Sequence, residues 1–271
     1  MSIPSKYIDY DLTDIPDGQT TGLIEQTDSE LMARTEELFG ETEYFSAAFP
    51  EKMVPRSEWK ARAEATAEHF RKTTKQIYSQ GRTSACVGFG CGQWVETFAT
   101  RLFGGGYHTP LAGMDVYSDI SRTLMSGAYV PDGVHRVAMI GVLPLRTSET
   151  SEEYSVTYPG LDYKWRRPSG WEKVAAKFKV TRWAKCSGAE EVASALLNGF
   201  PLVLGRSRHC IPYVYLDFNG NSPMAVYANS WSESWGDDGF GADSERTFGN
   251  VTCYAVLDLA IRPEIEIPEL I

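Results

Sequence analysis

Four side chains in this chain are of the types that cysteine catalysis uses. Gln80 stands six residues before Cys86, in a turn of small residues that leads into an apolar run. A thiol becomes a nucleophile when a nearby base and a helix N-terminus favour its ionised form. His209 is a candidate base, and Asn229 is a candidate to hold the imidazole in its productive tautomer. The Gln80 amide, together with the backbone N–H of Cys86, can donate to a developing oxyanion.

The remaining polar signals of the sequence are weaker. Trp231 follows Asn229 closely in the run YANSWSESWGDDGFG and can shield an Asn–His hydrogen bond from water. His108 and His135 stand alone, and we expect neither to be catalytic. The five cysteines contain no CxxC pair, and no pair of Cys or His at ligand spacing has a second pair to match. We therefore expect no metal site, no cofactor and no disulfide framework, as in a reducing compartment.

The composition restricts the classes of partner. The chain has 271 residues, 42% of them hydrophobic, which suits one large domain or two lobes that share an interface. Its formal net charge of -10 argues against nucleic acid and anionic membranes as partners. There is no apolar run of about 18 residues, and the N-terminus lacks the basic and apolar regions of a signal peptide. We expect a protein of the cytoplasm or of an assembled particle.

Helical patterns fill the first half of the chain. The segment that follows Cys86 has apolar residues at helical spacing, and we expect a helix that begins near this cysteine. Its glycines, Gly88, Gly90 and Gly92, cost about 1 kcal/mol each relative to Ala, which indicates that other elements pack closely there. Five further stretches have helical patterns or caps: TDSELMARTEELFG, PRSEWKARAEATAEHFRKTTKQIY, SDISRTLMSG, GVHRVAMIGVLP and GAEEVASALLNG.

Strand patterns fill the second half. Four runs are rich in β-branched and aromatic residues and are separated by Gly, Asn and Pro: FPLVLG, CIPYVYLDF, MAVYANSW and VTCYAVLDLAI. DFNGNS is a hairpin turn signal, and residues 147–170 read as a polar loop. This segregation predicts an α+β fold with two lobes. We place an N-terminal extension at 1–50, a helical lobe at 51–145, and a β-rich lobe with a C-terminal tail at 146–271.

Two motifs resemble those of the papain family of cysteine peptidases. QGRTSACVGF is similar to the family signature in which a Gln precedes the nucleophilic Cys by six residues. YANSWSESWGDDGFG is similar to the family's Asn-Ser-Trp, Trp-Gly and Gly-aromatic run, and RHCIPYV stands where the family places its His strand. Weaker similarity fills the interval, so the resemblance covers about residues 75 to 255.

The resemblance implies a role for each matching residue. Cys86 would be the nucleophile, His209 the base and then the acid, and Asn229 the residue that orients the ring. Gln80 would donate to the oxyanion, and Trp231 would shield the site. Gly133, in VPDG, would belong to the loop that binds the substrate backbone. The implied fold has a helical lobe with the Cys at a helix N-terminus and an antiparallel β-barrel-like lobe with the His and Asn, and the implied substrate is a peptide or protein.

The sequence also departs from the family pattern. Val87 stands where the family has Trp, Thr83 stands where it has a disulfide Cys, and Pro212 interrupts the His strand, which predicts a sheet edge or a bulge. No long inhibitory propeptide is visible, so residues 1–50 could instead dock onto a partner. Two functions stay open beside a minor transferase alternative. One is an active cysteine peptidase or amide hydrolase, and the other is a papain-fold structural or binding protein, such as a virion or tail component, with little turnover.

Overall fold

The computed structural model describes residues 12–104, 106–145, 167 and 169–261. These residues form nine α-helices and six β-strands. The helices are α1 Asp28–Phe39, α2 Phe45–Ala48, α3 Trp59–Thr73, α4 Cys86–Leu102, α5 Gly113–Ile120, α6 Val130–Met139, α7 Trp171–Ala175, α8 Gly188–Leu197 and α9 Glu245–Phe248. The strands are β1 Val180–Ser187, β2 Leu202–Arg206, β3 His209–Asn219, β4 Ser222–Ala228, β5 Phe240–Ser244 and β6 Thr252–Leu259.

The six strands form one antiparallel sheet in the order β1-β6-β2-β3-β4-β5. Within the described part of the chain β1 does not pair with β5, so the sheet is open rather than a closed barrel. Helices precede most of the strands, and α4 is buried along nearly its whole length. The predicted α+β class is confirmed.

The glycines of α4 mark close packing, as their cost in a helix predicted. A Cβ at Gly88 would lie 2.4 Å from the carbonyl oxygen of Gly113, at the start of α5. A Cβ at Gly90 would lie 2.8 Å from the sulfur of Cys210, on β3. The first turns of α4 are therefore held against the strand that begins at His209.

A two-residue turn joins β2 to β3. Arg206 and His209 are direct partners across the hairpin, and the turn residues Ser207 and Arg208 have φ angles of 49° and 59°. Two positive φ values in succession are the signature of a type I′ turn, which usually employs Asn and Gly. The short interval between β2 and His209 is thus accommodated by a tight hairpin. Pro212 pairs with Val203 in regular register on the β2 side, and the register shift of β3 against β4 lies after it, at Tyr213/Tyr215.

Several element predictions were wrong or incomplete. The helix predicted in SDISRTLMSG is not there, because α5 lies earlier and ends at Ile120. After it, the hydroxyl of Ser126 accepts from the N–H of Thr123 and bonds the hydroxyl of Ser121, and such side-chain bonds favour turns over helix. Strands β1 and β5 were not predicted. Most of the loop predicted at 147–170, and the C-terminal tail from 262, lie outside the described residues.

Candidate active site

Cys86 is the first residue of α4, and its side chain is fully buried. The partial positive charge of a helix N-terminus favours a thiolate at this place. Burial acts more strongly in the opposite direction and raises the pKa of the Cys86 thiol to about 11. The backbone groups of Cys210 and Gly22 beside the sulfur counter part of that rise. In this state the thiol is therefore protonated at neutral pH.

The His209 ring is fixed on two sides. Its Nε2 lies 2.8 Å from Oδ1 of Asn229, and the Trp231 ring stacks on it at a centroid distance of 4.5 Å. Since Nε2 donates to the amide oxygen, the lone pair of the imidazole is on Nδ1. Among the described residues that Nδ1 atom has no hydrogen-bond partner, although it is buried. The ring is thus oriented as a base whose accepting nitrogen is unoccupied.

The environment of His209 favours the neutral ring. Burial lowers its pKa from 6.5 to about 4, the hydrogen bond with Asn229 acts to raise it, and the charge of Arg206 lowers it further. The backbone of Cys210, the next residue along β3, lies beside the Cys86 sulfur. The Cys86 sulfur therefore lies beside the residue that follows His209 on β3, and the thiol and the imidazole are both in their neutral forms.

Hydrogen bonds fix Gln80 through both its backbone and its side chain. Its backbone N–H donates to Ser230 O at 2.9 Å, and its side-chain oxygen accepts from the Ser230 hydroxyl at 2.6 Å. Its Nε2 donates to Thr83 O at 2.8 Å and to Thr20 O at 3.0 Å. The nitrogen of the side-chain amide therefore points toward the segment that leads into α4 and toward the N-terminal part of the chain. An Nε2 in this orientation can serve as an oxyanion donor once Thr20 leaves.

Residues 19–25, called the covering segment below, lie across these side chains. The carbonyl oxygen of Thr20 accepts from both Gln80 Nε2 and Trp231 Nε1, at 3.0 and 3.1 Å. The backbone of Gly22 lies beside the Cys86 sulfur. The segment therefore contacts the candidate nucleophile, the candidate oxyanion donor and the shielding tryptophan at once.

Backbone pairing anchors the covering segment on both sides. The Leu23 N–H donates to Arg208 O at 3.1 Å, beside His209. The Ala128 N–H donates to Gly22 O at 2.9 Å, and the Ile24 N–H donates to Ala128 O at 3.0 Å, so that Leu23 and Ala128 form a parallel bridge. The main chain of the covering segment is therefore hydrogen-bonded on one side to Arg208 and on the other to Ala128.

Gly133 does not lie at this site. It is buried within α6, where a Cβ would lie 2.7 Å from both Cys91 Sγ and a methyl carbon of Val87. Its small size lets α6 approach α4. Ala128, just before α6, pairs through its main chain with the covering segment. The VPDG match aligned a helical glycine with a loop.

Sequence reasoning also missed the covering segment. Its only local signal is the short apolar run Gly22-Leu23-Ile24 in an otherwise polar extension. A second omission is Arg206, whose proximity to His209 depends on the hairpin register. Among the described residues no group of three His, Cys, Asp or Glu side chains could hold a metal ion. The described helices include none with the length and hydrophobicity of a membrane span.

Comparison with protein-family models finds no match, and comparison with curated protein sequences finds none either. Solved structures are similar in fold. Xylellain, a cysteine protease from Xylella fastidiosa, superimposes with a TM-score of 0.57 at 15% identity, covering 89% of this chain and 97% of its own. Procathepsin L2 from the larval midgut of Tenebrio molitor gives a TM-score of 0.55 at 16% identity, over 69% of this chain and 65% of its own.

The proform of the ragweed pollen cysteine protease Amb a 11 gives a TM-score of 0.53 at 15% identity. That match covers 70% of this chain and 65% of the ragweed chain. Identities this low establish the architecture and leave the chemistry to the geometry of the site. The resemblance in the two sequence motifs is thus matched at the level of the whole fold, and the chain has the two-lobe fold of the papain-like cysteine proteases.

Proposed function

We propose that this chain is a papain-like cysteine peptidase or amide hydrolase in a closed state. The observation that carries the proposal is the orientation of the His209 ring. Its Nε2 is held by Asn229, its Nδ1 is buried without a partner among the described residues, and the helix that starts with Cys86 packs against its strand. A base oriented by a third group beside a helix-N-terminal thiol is the arrangement that activates a cysteine.

In the proposed mechanism, His209 Nδ1 accepts the thiol proton of Cys86. The thiolate then attacks the carbonyl carbon of the scissile amide, and the oxyanion accepts from Gln80 Nε2 and the backbone N–H of Cys86. The imidazolium returns its proton to the leaving amine. Water, deprotonated by the neutral ring, hydrolyses the thioester and regenerates the thiol. The substrate is a peptide or protein, because the cleft offers main-chain partners of the kind that Ala128 and Arg208 supply to the covering segment.

Turnover requires the covering segment to leave. Thr20 O takes the Gln80 donor that an oxyanion would need, and Gly22 lies at the sulfur. The segment also contributes to the burial that keeps both the thiol and the imidazole neutral. Its displacement would let water reach the pair, which lowers the thiol pKa and raises the imidazole pKa toward their ordinary values. A thiolate–imidazolium pair is then accessible.

A second candidate function is a papain-fold structural or binding protein. The observation that favours it is the complete burial of Cys86 and His209 beneath the covering segment, which is incompatible with turnover while it persists. In such a protein the closed cleft would be the permanent state. The two functions differ in whether the segment can leave and whether the opened site turns over.

The test compares an opened variant with the wild-type chain on a mixture of natural peptides, with products identified by mass spectrometry. Gly22→Ala removes the space that the covering segment needs, because a Cβ there would lie 1.9 Å from Ser84 O. We expect Gly22→Ala to cleave peptides, and we expect Gly22→Ala/Cys86→Ser to be slower by at least about 1,000-fold. If iodoacetamide labels Cys86 in Gly22→Ala but no peptide is cleaved, the binding function is the better account.

A further inference from the structure

A buried ion pair lies on the same sheet face as the candidate base. Arg206 is the direct partner of His209 across the hairpin, and side chains of directly opposed residues project to the same face. An Nη2 atom of Arg206 lies 2.6 Å from Oδ1 of Asp243, which is completely buried, and the arginine side chain is 17% exposed. The guanidinium is therefore placed beside the His209 ring and fixed there by a carboxylate.

The ion pair spans the strands that bear the site. Arg206 is the last residue of β2, and Asp243 lies on β5. Strands β3 and β4 lie between them in the sheet: β3 begins with His209, and β4 ends just before Asn229. The second oxygen of Asp243 accepts from the Tyr213 hydroxyl at 2.6 Å. The bond between β2 and β5 thus ties together the sheet that sets the distance between the His209 ring and the Asn229 amide.

Room for this cluster depends on a glycine. A Cβ at Gly241 would lie 2.5 Å from the Tyr227 hydroxyl, which lies near the guanidinium. Burial acts to lower the pKa of Arg206, but the charge of Asp243 is the largest cause in the opposite direction and the pKa is raised. The guanidinium is consequently charged at neutral pH.

The other titratable groups around His209 are either neutral or already paired. Cys86 on α4 and Tyr213 on β3 are neutral, because burial raises the pKa of both side chains. Asp243 is paired with Arg206, and Glu25 of the covering segment accepts from the backbone N–H of Arg208. Arg206 is the charged group that acts on the His209 ring, and it disfavours a positive ring.

We propose that Arg206, held by Asp243, is a positioning residue for His209: it fixes the hairpin that delivers the imidazole, and its positive charge acts together with burial to disfavour a protonated ring. Its role as support for a catalytic base rests on the proposed function. A neutral Lewis base at Nδ1 is what the first step requires, and a ring already protonated at mildly acidic pH could not take the thiol proton.

The test is an NMR titration of the His209 ring in the full-length chain, which needs no turnover. The chain has four histidines, and the His209 signal is assigned by its loss in His209→Gln. Three variants change the neighbouring charge in different ways: Arg206→Gln, Arg206→Gln/Asp243→Asn and Arg206→Lys. The matched control is Glu58→Gln/Arg62→Gln, which removes an exposed ion pair of 2.7 Å from α3.

The charge account predicts a specific order of titration midpoints. Arg206→Gln leaves Asp243 unopposed and should raise the midpoint by about one pH unit, and the double variant should raise it by about half a unit. Arg206→Lys and the α3 control should stay at the wild-type value. A midpoint in Arg206→Gln no higher than wild type would overturn the proposal, and so would an equal rise in Arg206→Lys, which would indicate packing rather than charge.

The wild-type chain supplies a check that does not depend on any variant folding. Its His209 midpoint should lie near 4, and a midpoint near 6.5 overturns the proposal. Failure of the proposed function looks different. A chain that cleaves no peptide yet gives the predicted order keeps Arg206 as the group that sets the ring charge. A chain that cleaves peptides without this order refutes the role of Arg206 alone.

Discussion

The substitution Gly22→Ala should open the cleft and expose the thiol of Cys86. A Cβ at position 22 would lie 1.9 Å from the carbonyl oxygen of Ser84 and 2.3 Å from its carbonyl carbon, whereas ordinary contact begins at 3.4 Å. The clash is with backbone on the segment that leads into α4, which cannot turn aside as a side chain could. The covering segment must therefore move outward by about 1.5 Å at this point.

The magnitude follows from the bonds that such a movement breaks. Hydrogen bonds of 2.9 Å from Ala128 N–H to Gly22 O and 3.1 Å from Leu23 N–H to Arg208 O do not survive a displacement of this size. Each contributes about 1 kcal/mol, so the closed state loses about 2 kcal/mol relative to the open one, and the open population rises about 30-fold. When closing is fast, the rate of alkylation of Cys86 rises by the same factor.

The assay is iodoacetamide labelling of Cys86, followed by peptide mass spectrometry. The control is Gly106→Ala, since a Cβ at that glycine meets nothing within 4 Å. Because the thiolate is the reactive form, the pH profile should also change, with the inflection falling from about 11 in the closed wild type toward lower pH in Gly22→Ala. If the folded Gly22→Ala chain labels within about a factor of two of the Gly106→Ala chain, the segment is not what covers the thiol.

Three other predictions follow. Because the pKa of His209 is lowered from 6.5 to about 4, the unfolded chain takes up a proton in that interval that the folded chain does not. The free energy of unfolding should therefore fall by about 3 kcal/mol as the pH drops through it, as measured in urea, and less in His209→Gln. Replacing the strained turn by Asn and Gly (Ser207→Asn/Arg208→Gly) should raise the thermal midpoint by about 3 to 6 °C. Gly133→Ala should lower the free energy of unfolding by about 2 kcal/mol, since its Cβ would meet Cys91 Sγ at 2.7 Å.

Each of these has a clear contrary result. An equal pH slope in wild type and His209→Gln would mean that the ring is not buried in its neutral form. An unchanged or lower midpoint in the turn variant would mean that the positive φ angles of Ser207 and Arg208 carry no strain. If Gly133→Ala kept its full free energy of unfolding but bound peptides differently, Gly133 would be a substrate-binding residue rather than a packing residue.

Local pattern predicted the parts of the fold whose determinants lie close together in sequence. The start of α4 at Cys86 follows from the turn and the apolar period after it, and its glycines predicted close packing before any partner was known. β3 and β4 were evident from β-branched and aromatic runs around a Gly-Asn turn. The open sheet and its strand order depend on long-range pairing, which no local pattern encodes.

The missed features share a dependence on distant contacts. β1 contains Arg182 and Lys185, and β5 is only five residues long, so neither has a clear alternating pattern. Gly22 has meaning only beside Ser84, some sixty residues away, and Gly133 only beside Cys91. A motif such as VPDG can match a loop in letters and still form the first turn of a helix, because Pro at the start of a helix is favourable there.

The central claim is that Cys86 forms a covalent acyl intermediate with the assistance of His209. The most direct measurement is acid-quenched peptide mass spectrometry of Gly22→Ala after brief mixing with an activated acyl ester. The account predicts a thioester on Cys86 that hydroxylamine removes, with formation slowed at least about 100-fold in Gly22→Ala/His209→Gln. Two results would contradict it. One is acylation of Cys86 at the same rate in Gly22→Ala and in Gly22→Ala/His209→Gln, and the other is the absence of an acyl adduct on a Cys86 that iodoacetamide can alkylate.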